Sequence, residues 1–470
     1  MMQQFGVIGL SVMGKNLALN IRNHGFSVAG FSIDKPEVDA LAKYEDDKLK
    51  PTYSWEEFIN SLEKPRKMLI MIRAGKPVDM TLEKLTELLE PGDIVIDGGN
   101  SNFNDTNRRF KKLEEKGIHF IGMGVSGGEE GALNGPALMP GGDKEAYDKV
   151  SPILESIAAK TEEGVPCVAY IGPEASGHYV KMVHNGMEYG IMQIICEVYD
   201  VLRTVGNCTN EQMSEIFAKW DEGQLHSYLT EITSKVLKQR DDLADGYIVD
   251  KILNVASYKG TGNWMLEDAI KLGCPITVIA EAVLARFASK ATLRDGCMPE
   301  FKGKVDLNQL ITKLANAYYL ASAVSYAQGF QQLSMAAKEY GWNLHYPAIA
   351  QTWEAGCIIR SSMLKDIENA FNQDADLPNL FKDKYFNDIA NKYTTDLAEI
   401  VKLAVEAGIP IPTLGAAYSY LKTIFNPKLP QNLLQGQRDY FGAHTYYRND
   451  RDGVYPVSYT HLTLPTKRIV

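Results

Sequence analysis

The sequence lacks several features that mark other classes of protein. No apolar run reaches the roughly 18 to 20 residues that a membrane-spanning helix needs. The opening stretch, MMQQFGVIGL, leads almost directly into a predicted strand and leaves no room for a signal or transit peptide. Positive charge is not in excess, since the formal net charge is −10, which argues against non-specific binding of nucleic acid. We therefore expect a cytoplasmic protein that binds neither a membrane nor nucleic acid.

Cysteine is sparse and is never arranged as a CxxC pair. The six cysteines are widely scattered, which is typical of reduced thiols and not of a disulfide framework or a zinc site. They are Cys167, Cys196, Cys208, Cys274, Cys297 and Cys357. We expect no bound metal.

The spacing of apolar residues predicts two structurally different parts. A chain of 470 residues exceeds what one hydrophobic core usually supports, so more than one domain is expected. Up to about residue 172, short apolar runs alternate with amphipathic stretches, which predicts a doubly wound α/β domain with a parallel sheet. The predicted strands cover Phe5–Leu10, Phe26–Ile33, Met68–Ile72, Asp93–Ile96, His119–Val125 and Cys167–Ile171.

After Gly172 the pattern becomes helical. One long helix is predicted from Ser176 to about Val205, and later segments keep helical spacing without strand alternation. These later helices cover Asn210–Lys219, Leu225–Arg240, Pro275–Ala288, Leu307–Tyr340, Trp353–Phe371 and Tyr385–Ala407. We expect an α/β domain at 1–175, a large all-α domain at 176–430 and a C-terminal tail at 431–470.

A glycine-rich turn follows the first predicted strand and precedes a predicted helix, Lys15–Asn23. The turn consists of Gly9, Leu10, Ser11, Val12, Met13 and Gly14. It matches a dinucleotide-binding fingerprint with Ser11 at the second glycine position, in which the helix N-terminus attracts the pyrophosphate. An ordinary glycine-rich turn is the alternative, but the position at the start of a βαβ unit favours a Rossmann domain.

The end of the second predicted strand should decide which dinucleotide is bound. Asp34 lies about 20 residues after Gly14, where an acidic residue binds the ribose 2′-hydroxyl of NAD. The stretch Ser32-Ile33-Asp34 contains no arginine for the 2′-phosphate of NADP, although Lys35 could partly serve. A solvated charged turn is the alternative. Our hypothesis is that NAD is used at least as well as NADP.

Four polar residues of the long helix fall on one face. Because each helical residue turns about 100°, Lys181, His184, Asn185 and Glu188 share one sector of the helix. A buried lysine can act as a base near neutral pH, and a glutamate can be held protonated as an acid. A surface charge pattern is the alternative for the lysine and glutamate alone, but the histidine and asparagine weaken it.

Two glycine-rich loops follow predicted strands, where ligands bind in open α/β sheets. One contains Asp97-Gly98-Gly99-Asn100-Ser101, and the other contains Ser126-Gly127-Gly128. Exposed backbone amides in such loops can receive a carboxylate or a phosphate. Either loop alone could be a simple turn.

With these motifs the chain resembles the 6-phosphogluconate dehydrogenase family over nearly its whole length. The matching stretches are GLSVMG, IDGGNS, GVSGGEEGA, GPALMPGG, KMVHNGMEYG, YKGTGNW, EAVLAR, SYAQGF, GCIIRS and QRDYFGAHTY. The resemblance implies oxidation and decarboxylation of 6-phosphogluconate to ribulose 5-phosphate and CO2, in the pentose phosphate pathway, with NADP as cofactor and no metal. Ser32-Ile33-Asp34 departs from the family's Asn-Arg-Thr, which leaves NAD or dual use open.

The resemblance also implies roles for individual residues. Lys181 would be the general base for the 3-hydroxyl, and Glu188 the acid that protonates C1. The sugar acid would contact Asn100, Ser126, Gly127, Gly128, His184 and Asn185. The phosphate would contact Tyr189, Lys259, Thr261 and Arg286, with Arg438 and His444 supplied by the tail of a partner subunit in a homodimer. The cofactor would also contact Ile72, Arg73, Ala74 and Asn100. Without the resemblance, Lys259 and Arg286 would be ordinary surface charges and His444 a capped loop residue.

Two other functions are compatible with parts of the sequence. Another β-hydroxyacid dehydrogenase, such as one acting on 3-hydroxyisobutyrate, would share only the Rossmann part and the first long helix. A dinucleotide sensor without turnover would be expected to lack Lys181 or Glu188, and both are present. The sequence after about Pro456, PVSYTHLTLPTKRIV, does not resemble the family's C-terminus.

Overall fold

A seven-stranded sheet organises the N-terminal part of the computed structural model, which describes residues 2–291, 301 and 303–455. The strand order is β3-β2-β1-β4-β5-β6-β7. The strands are β1 (Phe5–Ile8), β2 (Val28–Phe31), β3 (Leu49–Thr52), β4 (Lys67–Ile70), β5 (Ile94–Asp97), β6 (His119–Ser126) and β7 (Ala137–Gly142). Neighbours from β3 to β6 pair in parallel, as the sequence predicts.

The last strand of the sheet differs from the sequence prediction. β7 pairs antiparallel with β6, with Ser126 opposite Ala137. The predicted strand Cys167–Ile171 is wrong, because this run forms only an isolated bridge between Val168 and Leu138. Strands β3 and β7 escape prediction because each contains a proline, which is uncommon inside a sheet.

Seven helices accompany the strands and enclose two apolar cores. They are α1 (Val12–Asn23), α2 (Lys35–Ala42), α3 (Trp55–Asn60), α4 (Lys76–Leu85), α5 (Phe103–Glu114), α6 (Gly128–Asn134) and α7 (Lys144–Ile157). One core joins Leu17 of α1 and Ile153 of α7 to the sheet. The other joins Phe58 of α3 and Leu82 of α4 to the sheet. Cores on both faces are typical of a doubly wound fold, so the predicted Rossmann architecture is confirmed.

The following part of the chain is helical, as the sequence predicts. Its helices are α8 (Ser176–Thr204), α9 (Asn210–Asp221), α10 (Tyr228–Lys238), α11 (Thr261–Leu272), α12 (Thr277–Ala288), α13 (Leu307–Tyr340), α14 (Tyr346–Thr352), α15 (Met363–Gln373), α16 (Lys384–Glu406) and α17 (Pro412–Phe425). The single predicted helix Trp353–Phe371 is wrong, since a loop containing Gly356 at φ 65° separates α14 from α15. Short 3-10 helices cover Ile248–Asp250 and Leu380–Lys382.

Two compact units can be distinguished, Met1–Tyr418 and Ser419–Val470. The second unit contains α18 (Gln431–Gly442) and a short hairpin of β8 (Tyr446–Tyr447) and β9 (Val454–Tyr455). The atypical sequence from Pro456 onward, like Cys297, lies outside the described residues. In the part of the chain that the structure describes, no helix is both long enough and apolar enough to cross a membrane.

Candidate active site

Close packing of α8 on β6 places Lys181 inside the first unit. A Cβ atom at Gly124 of β6 would lie 2.4 Å from the Cβ of Lys181, so only glycine permits this approach. The Lys181 side chain is consequently buried, and the whole residue is only 6% exposed. Because β6 has glycine at position 124, α8 can pack closely against it, and Lys181 is buried between the helix and the strand.

Burial changes the proton affinity of Lys181. It lowers the pKa of Lys181 to about 8, although the negative charge of Glu188 acts in the opposite direction. Lys181 Nζ lies 3.3 Å from His184 Nδ1, and His184 Nε2 lies 3.3 Å from Ser126 Oγ. Burial and the nearby Lys181 ammonium hold the pKa of His184 well below its usual range, so this imidazole is neutral. Lys181 therefore loses its proton more readily than a lysine in water, although the ammonium remains the major form at pH 7.

Glu188 stands two helical turns further along the same face, about 10.5 Å away along the axis. Burial raises the pKa of Glu188 above its ordinary value, opposed by the charges of Lys181 and Arg286. A carboxyl group in this environment is a proton donor more readily than a glutamate in water. The helix thus presents a potential base and a potential acid with space between them.

Lys181 and Glu188 line one cavity of about 550 Å³. The predicted site residues that line it are Ser11, Met13, Ile72, Arg73, Asn100, Ser126, Gly127, Gly128, Lys181, Asn185, Glu188, Tyr189, Lys259, Thr261 and Arg286. Its described lining carries four cationic side chains, Arg73, Lys181, Lys259 and Arg286, against the single carboxylate of Glu188. A protein with a net charge of −10 therefore provides a locally positive cavity that suits an anion.

The cationic end of the cavity is built around Tyr189. The Arg286 guanidinium carbon lies 3.5 Å from the centroid of the Tyr189 ring, a cation–π contact, and Arg286 Nη1 donates to the Ser257 carbonyl at 3.2 Å. Thr261 is the first residue of α11, so its backbone amide belongs to a helix N-terminus. Cationic side chains beside free helix amides are suited to a phosphate.

Hydrogen bonds from Arg109 to Asp97 and Ser101 hold the loop that carries Asn100 in place. Asp97 accepts hydrogen bonds from the Gly99 amide at 3.0 Å and from Ser101 Oγ at 2.7 Å. Buried Arg109 donates to Asp97 at 3.4 Å, to Ser101 Oγ at 3.2 Å and to the Gly75 carbonyl at 3.0 Å. One guanidinium thereby connects the Asn100 loop to the loop of Ile72, Arg73 and Ala74.

The glycine-rich turn after β1 has the geometry of a dinucleotide cradle. Gly9 has φ 88°, a conformation that favours glycine, and a Cβ at Gly14 would lie 1.8 Å from the Gly9 carbonyl oxygen. Ser11 caps α1 without a side-chain hydrogen bond among the described residues, so the first amides of the helix are available for an anion. Val12 is exposed and Leu10 is buried. The backbone of this turn, more than its side chains, is suited to a pyrophosphate.

Two family models cover almost all of this architecture. The NAD binding domain of 6-phosphogluconate dehydrogenase matches residues 4–172, and the C-terminal domain of 6-phosphogluconate dehydrogenase matches residues 177–459. The chain belongs to the 6-phosphogluconate dehydrogenase family. Membership excludes both alternative functions that the sequence left open, a 3-hydroxyisobutyrate-type dehydrogenase and a sensor without turnover.

Curated members of the 6-phosphogluconate dehydrogenase family align over nearly the full chain. The decarboxylating enzyme of Lactococcus lactis subsp. lactis is 51% identical, over 96% of this chain and 97% of that protein. The NADP(+)-dependent, decarboxylating enzyme of Bacillus subtilis is 47% identical, over 96% and 98%. A Plasmodium falciparum 6-phosphogluconate dehydrogenase, solved apo, with NADP+ and with 6-phosphogluconate, superposes with a TM-score of 0.92 at 41% identity, covering 97% of this chain and 100% of that one.

Several predicted residues lie apart from the main cavity lining. His184 does not line the cavity but contacts Lys181 and Ser126, which do. Gly9, Leu10, Val12, Gly14 and Ala74 are also outside the lining, although their sequence neighbours Ser11, Met13 and Arg73 belong to it. Ser32 and Ile33 line a different cavity of about 780 Å³ at the end of β2, and Asp34 is the N-cap of α2. Arg438 and His444 are both exposed on the second unit.

Sequence reasoning missed some residues that complete the cavity. The Ile358 amide donates to Ser126 Oγ at 3.4 Å, and Ile358 lines the cavity beside Gly127. Met71, Ser257 and Tyr258 also line it. The GCIIRS stretch is one of the motifs shared with the family, but the sequence does not reveal that its Ile358 contacts the Ser126-Gly127-Gly128 loop.

Proposed function

We propose that this chain oxidises and decarboxylates 6-phosphogluconate to ribulose 5-phosphate and CO2, reducing NADP, as its family indicates, or NAD, as Ser32-Ile33-Asp34 suggests. The observation that carries the proposal is the pairing of Lys181 and Glu188 on the buried face of α8, in one cavity with a cationic end. The cofactor, when bound, supplies the acceptor for the hydride that leaves C3.

Lys181 is the base for the first step. With a pKa of about 8, roughly one tenth of the side chain is neutral at pH 7 and can accept the 3-hydroxyl proton as hydride leaves the same carbon. The product is a 3-keto acid whose carboxylate lies β to the new carbonyl. Loss of CO2 sends its bonding electrons into that carbonyl, and the Lys181 ammonium stabilises the developing oxyanion.

Glu188 completes the reaction by protonating C1 of the resulting enediol. Its raised pKa supports this role, because burial favours the carboxylic acid that must give up a proton. The separation of two helical turns lets the two groups act on different atoms of one substrate. His184, Asn185, Asn100 and the Ser126-Gly127-Gly128 loop would orient the sugar acid between them.

The substrate phosphate is held at the cationic end. Tyr189, Lys259, Thr261 and Arg286 provide a hydroxyl, two cations and a helix N-terminus for it. The glycine-rich turn and α1 fit the cofactor pyrophosphate, since Ser11 makes no side-chain capping bond among the described residues and leaves the first helix amides accessible.

The assembly is proposed to be a homodimer, with residues 1–175 binding dinucleotide, 176–430 binding substrate and the partner, and 431–470 reaching the partner's site. Large apolar side chains exposed on α18 support this, namely Leu433, Leu434, Tyr440 and Phe441. Arg438 and His444 would then serve the partner's phosphate site. A cytoplasmic location is supported by five free thiols among the described residues, including exposed Cys196.

The direct test is a spectrophotometric assay with 6-phosphogluconate, run in parallel with NAD and NADP. We expect reduced cofactor, CO2 and ribulose 5-phosphate in equal amounts, and no turnover with 3-hydroxyisobutyrate. Reduction of cofactor without release of CO2, or absence of turnover with both cofactors, would contradict the proposal.

A further inference from the structure

The end of β2 forms a second cavity beside the glycine-rich turn. The Gly9 amide donates to the Phe31 carbonyl at 2.8 Å, which joins the turn to the last residue of β2. The adjoining cavity of about 780 Å³ is lined by Ser32, Ile33 and Lys35 among others. In a doubly wound fold the adenosine half of a dinucleotide lies at this position, beyond the carboxyl ends of β1 and β2.

One carboxylate is fixed between the turn and the strand end. Glu37 Oε2 accepts a hydrogen bond from the Leu10 amide at 3.1 Å and another from Ser32 Oγ at 2.7 Å. Glu37 lies in the first turn of α2, where the helix dipole favours a negative charge. Asp34, by contrast, makes no side-chain capping contact within the described residues. Of the two acids, Glu37 is therefore the one whose carboxylate is held in position by hydrogen bonds.

The charges around this cavity are mostly negative. Its described lining includes the carboxylates of Asp39 and Glu56, one cation, Lys35, and no arginine. Glu37 adds a further carboxylate at the strand end. A 2′-phosphate carries close to two negative charges and is stabilised by cations, most effectively by arginine. A ribose 2′-hydroxyl is instead a donor that a carboxylate can accept from.

We propose that Glu37 determines cofactor choice in this chain: its carboxylate accepts from the 2′-hydroxyl of NAD and repels the 2′-phosphate of NADP. The inference rests on the proposed function only in taking the cleft as a dinucleotide site. It separates this chain from its Bacillus subtilis relative, which is named NADP(+)-dependent. Overall identity does not decide this property, because a few side chains at one strand end control it.

The test measures binding without sugar acid, so that it is independent of the reaction. Fluorescence titration of the full-length protein with NADH and NADPH should give an affinity at least about tenfold higher for NADH, the effect of one charged hydrogen bond. Glu37→Gln should reduce that ratio by about tenfold or more, mainly through tighter NADPH binding. Glu45→Gln removes the same charge from the exposed connection after α2 and should leave the ratio unchanged.

A higher affinity of the native protein for NADPH would overturn the proposal, and so would equal ratios for the Glu37→Gln and Glu45→Gln variants. The native protein also offers a test that needs no substitution. Adenosine 5′-monophosphate should displace NADH at lower concentration than adenosine 2′,5′-bisphosphate, and the reverse order would contradict the role of Glu37. Failure of the proposed reaction would leave these binding ratios in place, so the two failures can be told apart.

Discussion

The chemical end and the adenosine end of the cleft are built in opposite ways. Lys181 of α8 is 6% exposed, whereas Ile33 at the end of β2 is 88% exposed. At the chemical end, packing of α8 against β6 holds the Lys181 side chain in place, and burial lowers the pKa of Lys181 to about 8. At the adenosine end, exposed side chains and a few charges would set the preference between NAD and NADP under our proposal. The reaction is therefore tied to the fold, while the choice of cofactor can change with little cost to packing.

This comparison predicts different consequences of substitution. Changes at the buried end should alter the rate of chemistry, because they remove the groups that we propose as base and acid. Changes at the adenosine end should alter which dinucleotide binds and leave the chemistry intact. The following predictions test that division, from the largest effect to the smallest.

Replacing Lys181 should have the largest effect on the rate. In Lys181→Met the hydride-transfer rate should fall by about three orders of magnitude, because the general base is lost. The free energy of unfolding should not decrease, since a buried ammonium is exchanged for an apolar side chain. Single-turnover absorbance of the reduced cofactor measures the rate, and thermal unfolding measures stability.

The control for this prediction is Lys181→Arg, which keeps a positive charge but cannot lose a proton. It should be nearly as inactive as Lys181→Met, while both variants retain NADH binding. Recovery of the rate in Lys181→Arg would show that Lys181 supplies only charge.

Replacing Glu188 should have a smaller effect, confined to a later step. In Glu188→Gln, tritium exchange at C1 of ribulose 5-phosphate should slow by about two orders of magnitude, because the carboxylic acid proton is missing. The kcat should fall more than kcat/KM, since protonation follows the release of CO2. Exchange at the native rate would remove Glu188 from the acid role.

A change at Arg109, which joins two loops of the cleft, should have the smallest effect. Arg109→Lys loses at least two of the hydrogen bonds to Asp97, Ser101 and the Gly75 carbonyl. We expect kcat/KM to fall by about tenfold, with higher KM values for both substrate and cofactor. Arg108→Lys is the matched control, because Arg108 is exposed and shares only the Asp79 contact. Equal effects in the two variants would contradict a positioning role for Arg109.

Local patterns predicted the fold wherever one periodicity dominates. The boundaries of α13, Leu307–Tyr340, agree with the prediction because apolar spacing persists over 34 residues. The predicted helix Trp353–Phe371 failed because the loop at Gly356 is held by a distant partner, the Ala137 amide, which donates to the Gly356 carbonyl at 2.9 Å. Cys167–Ile171 is apolar because it is buried, not because it belongs to the sheet.

The site residues, like the fold, were predictable where local sequence spacing sets their position and not where distant contacts do. Lys181 and Glu188 were predictable because a single helix sets their relative position. Glu37 was not, since its importance depends on contacts with Leu10, 27 residues away, and with Ser32. Arg109 was likewise hidden, because its partners lie on different loops.

The pH dependence of kcat/KM in the wild type and in Glu188→Gln tests most directly whether Lys181 and Glu188 form one buried pair. In the wild type kcat/KM should rise with pH through about 8, because the base must be deprotonated. The kcat/KM reports the free enzyme, in which an ionised Glu188 raises the pKa of Lys181, so its replacement by glutamine should move this rise to lower pH. A rise that stays in place, or moves to higher pH, would contradict the account.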